Sequence, residues 1–145
     1  MPYLSERLVH VVTRADLATL LTPTYAESAG VDDEEAHDRL TRALADPEVL
    51  DELYRCLSDA LVAKAGRLEP DALMDKLAKR VSLKKGHMKP ASATAAISAA
   101  VVRINLVLGL VPEATQAVLN NAKGWAALQD GVRALGSRLV KELLG

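Results

Sequence analysis

The sequence predicts an all-α fold: one domain over residues 1–145, built as a compact bundle of six or seven short helices around a central apolar helix at about residues 91–110. Alanine and leucine, both strong helix formers, occur 24 times each among the 145 residues. Phenylalanine is absent, and only three tyrosines and one tryptophan are present. This composition is unfavourable for β-sheet, because strands favour aromatic and β-branched residues.

The first helical segments lie within residues 4–21, where leucines and valines recur at helical spacing. Ser5 and Thr13 are candidate N-caps, since a short hydroxyl side chain can accept a hydrogen bond from a free amide at a helix start. We expect this region to end at Thr22–Pro23, because the residue before a proline resists the helical conformation.

A connector is predicted over residues 25–31, with Gly30 acting as a helix stop or turn. The next helix should run to about Ala45. Its first turn is acidic, which favours helix initiation because carboxylates meet the positive end of the helix dipole. That turn consists of Asp32, Asp33, Glu34 and Glu35.

Two proline-containing motifs start the following two helices. Asp46-Pro47-Glu48 is the clearest start signal, since Asp caps the helix and Pro fits its first position. That helix should stop at Gly66, and Glu69-Pro70-Asp71 should start the next one. The apolar residues predicted to face inward are Leu50, Leu53, Leu57, Ala60 and Leu61, followed by Leu73, Leu77 and Val81.

Residues 82–90 are predicted to form a basic polar loop that leads into the apolar segment Ala91–Val111. This segment is long enough for a bilayer span, which needs about 20 apolar residues. Arg103 argues against that, because an arginine near mid-membrane costs about 2.5–3.5 kcal/mol. We therefore predict a central core helix in which Arg103 and Asn105 find polar partners or emerge at its edge.

The C-terminal region is predicted to hold a short helix from Pro112-Glu113 to about Asn121 and a break at Lys123-Gly124. The last helix then has the best amphipathic pattern in the chain. Its apolar face consists of Trp125, Leu128, Val132, Leu135, Leu139 and Leu143.

The net charge of −1 conceals an uneven distribution, with −7 over residues 1–66 and +6 over residues 67–145. Such a split favours a complementary partner or a second copy of the chain, although both halves could also mix on one solvated surface. The candidate acidic partner-binding residues are Asp32, Asp33, Glu34, Glu35, Asp51 and Glu52. The candidate basic ones are Lys76, Lys79, Arg80, Lys84, Lys85 and Lys89.

No motif indicates catalysis: the chain has no Gly-rich phosphate loop, no His-Glu-x-x-His and no nucleophile elbow. Cys56 is the only cysteine and is expected in the core. Glu34-x-x-His37 has the spacing of a carboxylate-bridged di-iron pair, but a second pair is missing. We therefore expect no cofactor and no metal. A cytoplasmic location is expected, because the N-terminal residues lack the pattern of a signal peptide.

The sequence thus favours a non-enzymatic protein–protein interaction or assembly module that associates through its acidic and basic surfaces, with a homo-oligomer as one outcome. A nucleic-acid-binding accessory subunit is the alternative, using the same cations on phosphates. Two observations weaken it: no aromatic residue is interleaved with the cations, and the pI is about 6.3. A membrane-active helical protein is a third and weaker alternative.

Overall fold

A computed structural model describes residues 2–85 and 120–144 of the chain, together with Glu113, Gln116 and Ala117. The predicted all-α fold is confirmed: the described residues form six helices that pack together, and they contain no strand. The helices are α1 (Pro2–Val11), α2 (Arg14–Ala29), α3 (Asp33–Leu44), α4 (Pro47–Ala65), α5 (Pro70–Lys84) and α6 (Ala122–Leu144).

Helix α4 is the main packing element, since its most extensive partner is α6 and it also contacts α1 and α3. Helices α2 and α3 form the second closely packed pair, while α5 lies against α1 and α6. The interior is filled mostly by leucine. Tyr54, buried in α4, donates a hydrogen bond from its hydroxyl to the Val12 carbonyl and so ties α4 to the α1–α2 junction.

Several helix starts follow the predicted capping signals. Thr13 and Asp16 form a reciprocal capping box, with both backbone-to-side-chain distances at 3.1 Å. Asp46 caps α4, as predicted, by accepting from the Glu48 amide at 2.9 Å. Asp32, which was predicted in the first turn of its helix, instead precedes α3 and caps it by accepting from the Glu35 amide at 2.8 Å. The Ser5 prediction was wrong, because α1 already begins at Pro2.

Helix α2 does not end at Thr22–Pro23, as predicted, but continues to Ala29. The predicted connector over residues 25–31 is therefore helical for most of its length. Tyr25 and Ala26 belong to the core, and their burial offsets the hydrogen bond that Pro23 cannot donate. Gly30 does stop the helix: its φ of 70° is left-handed, and its amide donates to the Ala26 carbonyl at 3.0 Å.

Two further boundaries differ from prediction. Helix α5 runs through Lys84, so residues 82–84 of the predicted loop are helical and Val81 is a buried residue of that helix. Lys123-Gly124 is not a break either. Both lie in the first turn of α6, where the Asn121 side chain accepts hydrogen bonds from their amides at 2.9 and 3.3 Å.

Three predictions fall outside the described residues: the central helix at about 91–110, the partners of Arg103 and Asn105, and most of the short helix from Pro112-Glu113 to Asn121. None of the helices in the described ranges combines the length and the apolar character needed to cross a membrane.

Candidate interaction surfaces

Helix α5 presents three cations and one leucine on its solvent-facing side. Lys76, Lys79, Arg80 and Leu83 follow the spacing i, i+3, i+4 and i+7, which places them along one stripe of the helix. All four are exposed. Asp75 is the one acid that neighbours this set on the same helix. We call these four residues the cationic stripe.

Leu83 is the most exposed large hydrophobic residue of the described part of the chain, with 68% of its surface accessible. The apolar residues on the other side of the same helix are almost fully buried: Leu73, Met74, Leu77 and Val81. Helix α5 is therefore already packed, and Leu83 lies outside that packing. An apolar residue at the end of a row of cations gives the stripe both a charged and a hydrophobic contact surface.

The three remaining predicted cations differ in accessibility. Lys85 forms an ion pair with Asp16, with 2.8 Å between Nζ and Oδ1, so it already serves the contact between α5 and α2. Lys84 is half-buried. Lys89 lies outside the described residues.

The pairing with Lys85 affects the titration of Asp16. Partial burial raises the pKa of this carboxyl, but hydrogen bonds from Lys85 and from Thr13 outweigh burial and hold the pKa below its usual value. The ionised form is therefore favoured in the folded protein. The ion pair thus contributes to stability by joining two helices.

The predicted acidic residues do not form one surface. Asp32, Asp33 and Glu34 are exposed at the start of α3. Glu35 is half-buried and accepts from Arg39 Nε at 2.8 Å. Asp51 is exposed but belongs to α4.

The start of α3 lines an open groove of about 400 Å³ against α2. On the α3 side the lining includes three exposed carboxylates, Asp33, Glu34 and Asp38, together with His37. The α2 side contributes Thr19, Thr22 and Pro23. Two threonines and a proline ring therefore line the wall opposite three carboxylates. We call this feature the acidic groove.

The predicted surface position of Glu52 was wrong. Its side chain is 3% exposed and lies between α4 and α6. Two arginines neutralise it: Arg55 Nη1 lies 3.2 Å from Oε2, and Arg133 Nη2 lies 3.3 Å from Oε1. Both guanidinium groups extend to the surface, since the arginine side chains are 64% and 53% exposed. A buried carboxylate is tolerated here because its charge is paired.

Cys56 lies one turn after Glu52, with 3.9 Å between its Sγ and the Glu52 Oε1. Burial, together with the neighbouring charge of Glu52, raises the pKa of the Cys56 thiol to about 12. At neutral pH the sulfur therefore carries its proton and behaves as a small apolar group. Within the described residues, no three His, Cys, Asp or Glu side chains converge in the manner of metal ligands.

The acidic groove and the position of Leu83 beside the three cations were not predicted from the sequence, for related reasons. Because α2 was predicted to end at Thr22–Pro23, Pro23 was not expected to belong to a helical wall of the groove. Assigning residues 82–90 to a loop removed Leu83 from the helical spacing that links it to Lys76, Lys79 and Arg80. Extending the helical pattern of α5 by one turn would have placed Leu83 on the helix face that the three cations already share.

We compared the chain with protein-family models, with curated proteins and with solved structures, and found no significant match in any of the three.

Proposed function

We propose that this protein is a non-enzymatic interaction module that binds an acidic protein surface through the cationic stripe of α5. The exposure of Leu83 beside three cations is the observation that carries the proposal. Protein interfaces combine an apolar core with a polar rim, and an exposed leucine beside three cations offers both kinds of surface. A cytoplasmic location fits this proposal, since the only cysteine is a buried free thiol.

The stripe can supply a useful share of binding free energy. An exposed ion pair contributes about 0.2–1 kcal/mol, so three pairs contribute about 1–3 kcal/mol together. Full burial of a leucine side chain contributes about 1.5–3 kcal/mol. The charges set orientation and association rate, and the leucine slows dissociation.

Nucleic-acid binding is the second candidate, because the same three cations on one helix face could contact phosphates. Leu83 separates the two candidates. A phosphate backbone offers no apolar surface to a leucine, so replacing Leu83 should weaken protein binding and leave phosphate binding unchanged.

We would test the proposal by fluorescence anisotropy near physiological salt. One labelled probe is a helical peptide that presents glutamates around a leucine on one face. The other probes are short single-stranded and duplex DNA and RNA. The peptide should bind more tightly than the nucleic acids. Its affinity should fall at least about tenfold both in K76Q/K79Q/R80Q and in L83S.

The matched control is K64Q/R67Q/K141Q, which removes the same charge from three exposed positions elsewhere. It should bind the peptide nearly as well as the unmodified protein. Tighter binding of DNA or RNA that is unaffected by L83S would favour the nucleic-acid candidate. Loss of peptide binding in the control variant would show that net charge, and not the stripe, is recognised.

A further inference from the structure

We infer that the surface recognised by the cationic stripe is the acidic groove of a second copy of this chain. This inference rests on the proposed function and commits it to one partner. In the resulting contact, the three cations of α5 face the carboxylates of α3, and Leu83 lies against the Pro23 side of the groove.

The two surfaces match in charge. The stripe carries Lys76, Lys79 and Arg80, and the groove carries Asp33, Glu34 and Asp38. Within the described part of the chain, none of these six side chains belongs to an ion pair. Each set therefore retains its charge for an intermolecular contact.

The two surfaces also match in size and in apolar content. Along a helix that rises 1.5 Å per residue, the stripe extends about 10 Å and the carboxylates about 8 Å. The groove has room for side chains, at about 400 Å³, and its α2 wall offers Pro23 and two threonines to an apolar residue. Leu83 is the exposed apolar residue that the stripe provides.

The contact joins different surfaces of the two copies, so it is heterologous. Helix α5 packs on α1 and α6, whereas α3 packs on α2 and α4. After one contact forms, each copy still has one unused surface. Assembly therefore continues into a ring or a chain of copies, and it closes as a twofold dimer only where both contacts form between the same two copies.

Mixing two neutralised variants tests this geometry directly. The stripe variant is K76Q/K79Q/R80Q, and the groove variant is D33N/E34Q/D38N. By light scattering, the unmodified protein should form species larger than 15.5 kDa, and each variant alone should be monomeric. An equimolar mixture should form a one-to-one complex and no larger species, because it combines one intact stripe with one intact groove.

Two controls keep the result specific. The same charge changes are made at other exposed positions in K64Q/R67Q/K141Q and in E6Q/D59N/E69Q. Both control variants should assemble like the unmodified protein. Two engineered cysteines locate the contact. L83C is placed in the groove variant, which keeps the intact stripe, and T19C is placed in the stripe variant, which keeps the intact groove. In the mixture, a disulfide should join the two variants. Cys56 is buried and should not take part.

A mixture that stays monomeric, or variants that still assemble alone, would overturn the inference. An unmodified protein that is monomeric at every concentration would overturn it too. If the stripe nevertheless binds the acidic peptide, the proposed function stands and its partner is a different protein. If peptide binding is also absent, both proposals fail.

Discussion

Glu52 shows how one buried carboxylate can depend on partners that are themselves exposed. The carboxylate is almost fully removed from water, but the two guanidinium groups that pair with it reach the solvent. Removing Glu52 leaves two arginines that water can solvate. Removing the arginines leaves a buried charge without compensation, which is far more costly.

We therefore predict an unequal response to substitution. E52M should change the free energy of unfolding by no more than about 1 kcal/mol, because a residue of similar volume fills the site. R55M/R133M should lower it by about 3 kcal/mol, because the carboxylate stays buried and unpaired. Urea unfolding followed by circular dichroism measures both, with the exposed R67M as control. Equal losses in E52M and R55M/R133M would contradict this account.

Cys56 should react only very slowly with thiol reagents in the folded protein. Its thiol is buried and its pKa is raised to about 12, so it offers almost no thiolate at pH 8. Reaction with an aromatic disulfide reagent should be at least about a hundredfold slower in the native protein than in urea, where the thiol has its ordinary pKa. Rapid reaction of the native protein would instead indicate an accessible thiolate.

For individual residues, the sequence predicted interactions within one helical turn well and contacts between distant residues poorly. The capping roles of Thr13 and Asp46 depend on residues within one turn, so the local pattern reveals them. The burial of Glu52 depends on Arg133, which lies 81 positions further along the chain. No local pattern indicates that pairing.

Helices α4 and α6 approach closely at Gly136. A Cβ atom built at this glycine would lie 3.0 Å from the Cβ of Cys56 and 3.4 Å from the Leu53 Cδ1. The Cys56 Cβ is fixed to its backbone and cannot rotate away. The absence of a side chain at position 136 therefore sets the spacing of the main helix pair.

G136A should consequently destabilise the fold, even though alanine favours a helix by about 1 kcal/mol over glycine. We expect a net loss of about 1–2 kcal/mol, since overpacking forces the two helices apart. S137A, on the exposed side of the same helix, is the control and should have little effect. Thermal unfolding compares the three proteins, and a stabilised G136A would show that the helices separate at no cost.

The ion pair between Asp16 and Lys85 links α2 to α5 in a pH-dependent manner. Because the folded pKa of Asp16 lies below its unfolded value of about 3.9, the pair stabilises the protein fully above that value. The contribution is lost as the pH falls through the folded pKa. D16N should therefore be less stable near neutral pH and should lose less stability between pH 5 and pH 2.

Urea unfolding across that pH range measures the effect, and the exposed D75N serves as control. K85Q should reproduce part of the loss near neutral pH, because it removes the ion pair and leaves the hydrogen bonds between Asp16 and Thr13 in place. A D16N protein with the same pH dependence as the unmodified chain would exclude this pair as a source of acid sensitivity.

Helix boundaries set by a local signal were predicted better than those set by tertiary packing. Asp46-Pro47 and Glu69-Pro70 mark starts through residues that act within the first turn. The ends of α2 and α5 depend on tertiary packing. Pro23 predicted the end of α2, but Tyr25 is buried in the turn that follows and α2 continues to Ala29.

At the scale of the whole molecule, the acidic groove and the cationic stripe lie on different helices. The acidic groove lies between α2 and α3, and the cationic stripe lies on α5. The uneven charge of the two sequence halves predicted complementary surfaces. It could not predict which carboxylates remain on the surface, because the burial of Glu52 and the pairing of Glu35 follow from the fold.

Molar mass in solution, measured by light scattering at about 50 and 500 mM salt, tests charge-matched self-association most directly. Exposed ion pairs are progressively screened across this range. We predict a mass above 15.5 kDa at low salt that falls towards the monomer at high salt. A monomer at both concentrations would contradict self-association, and a large mass unaffected by salt would contradict its electrostatic basis.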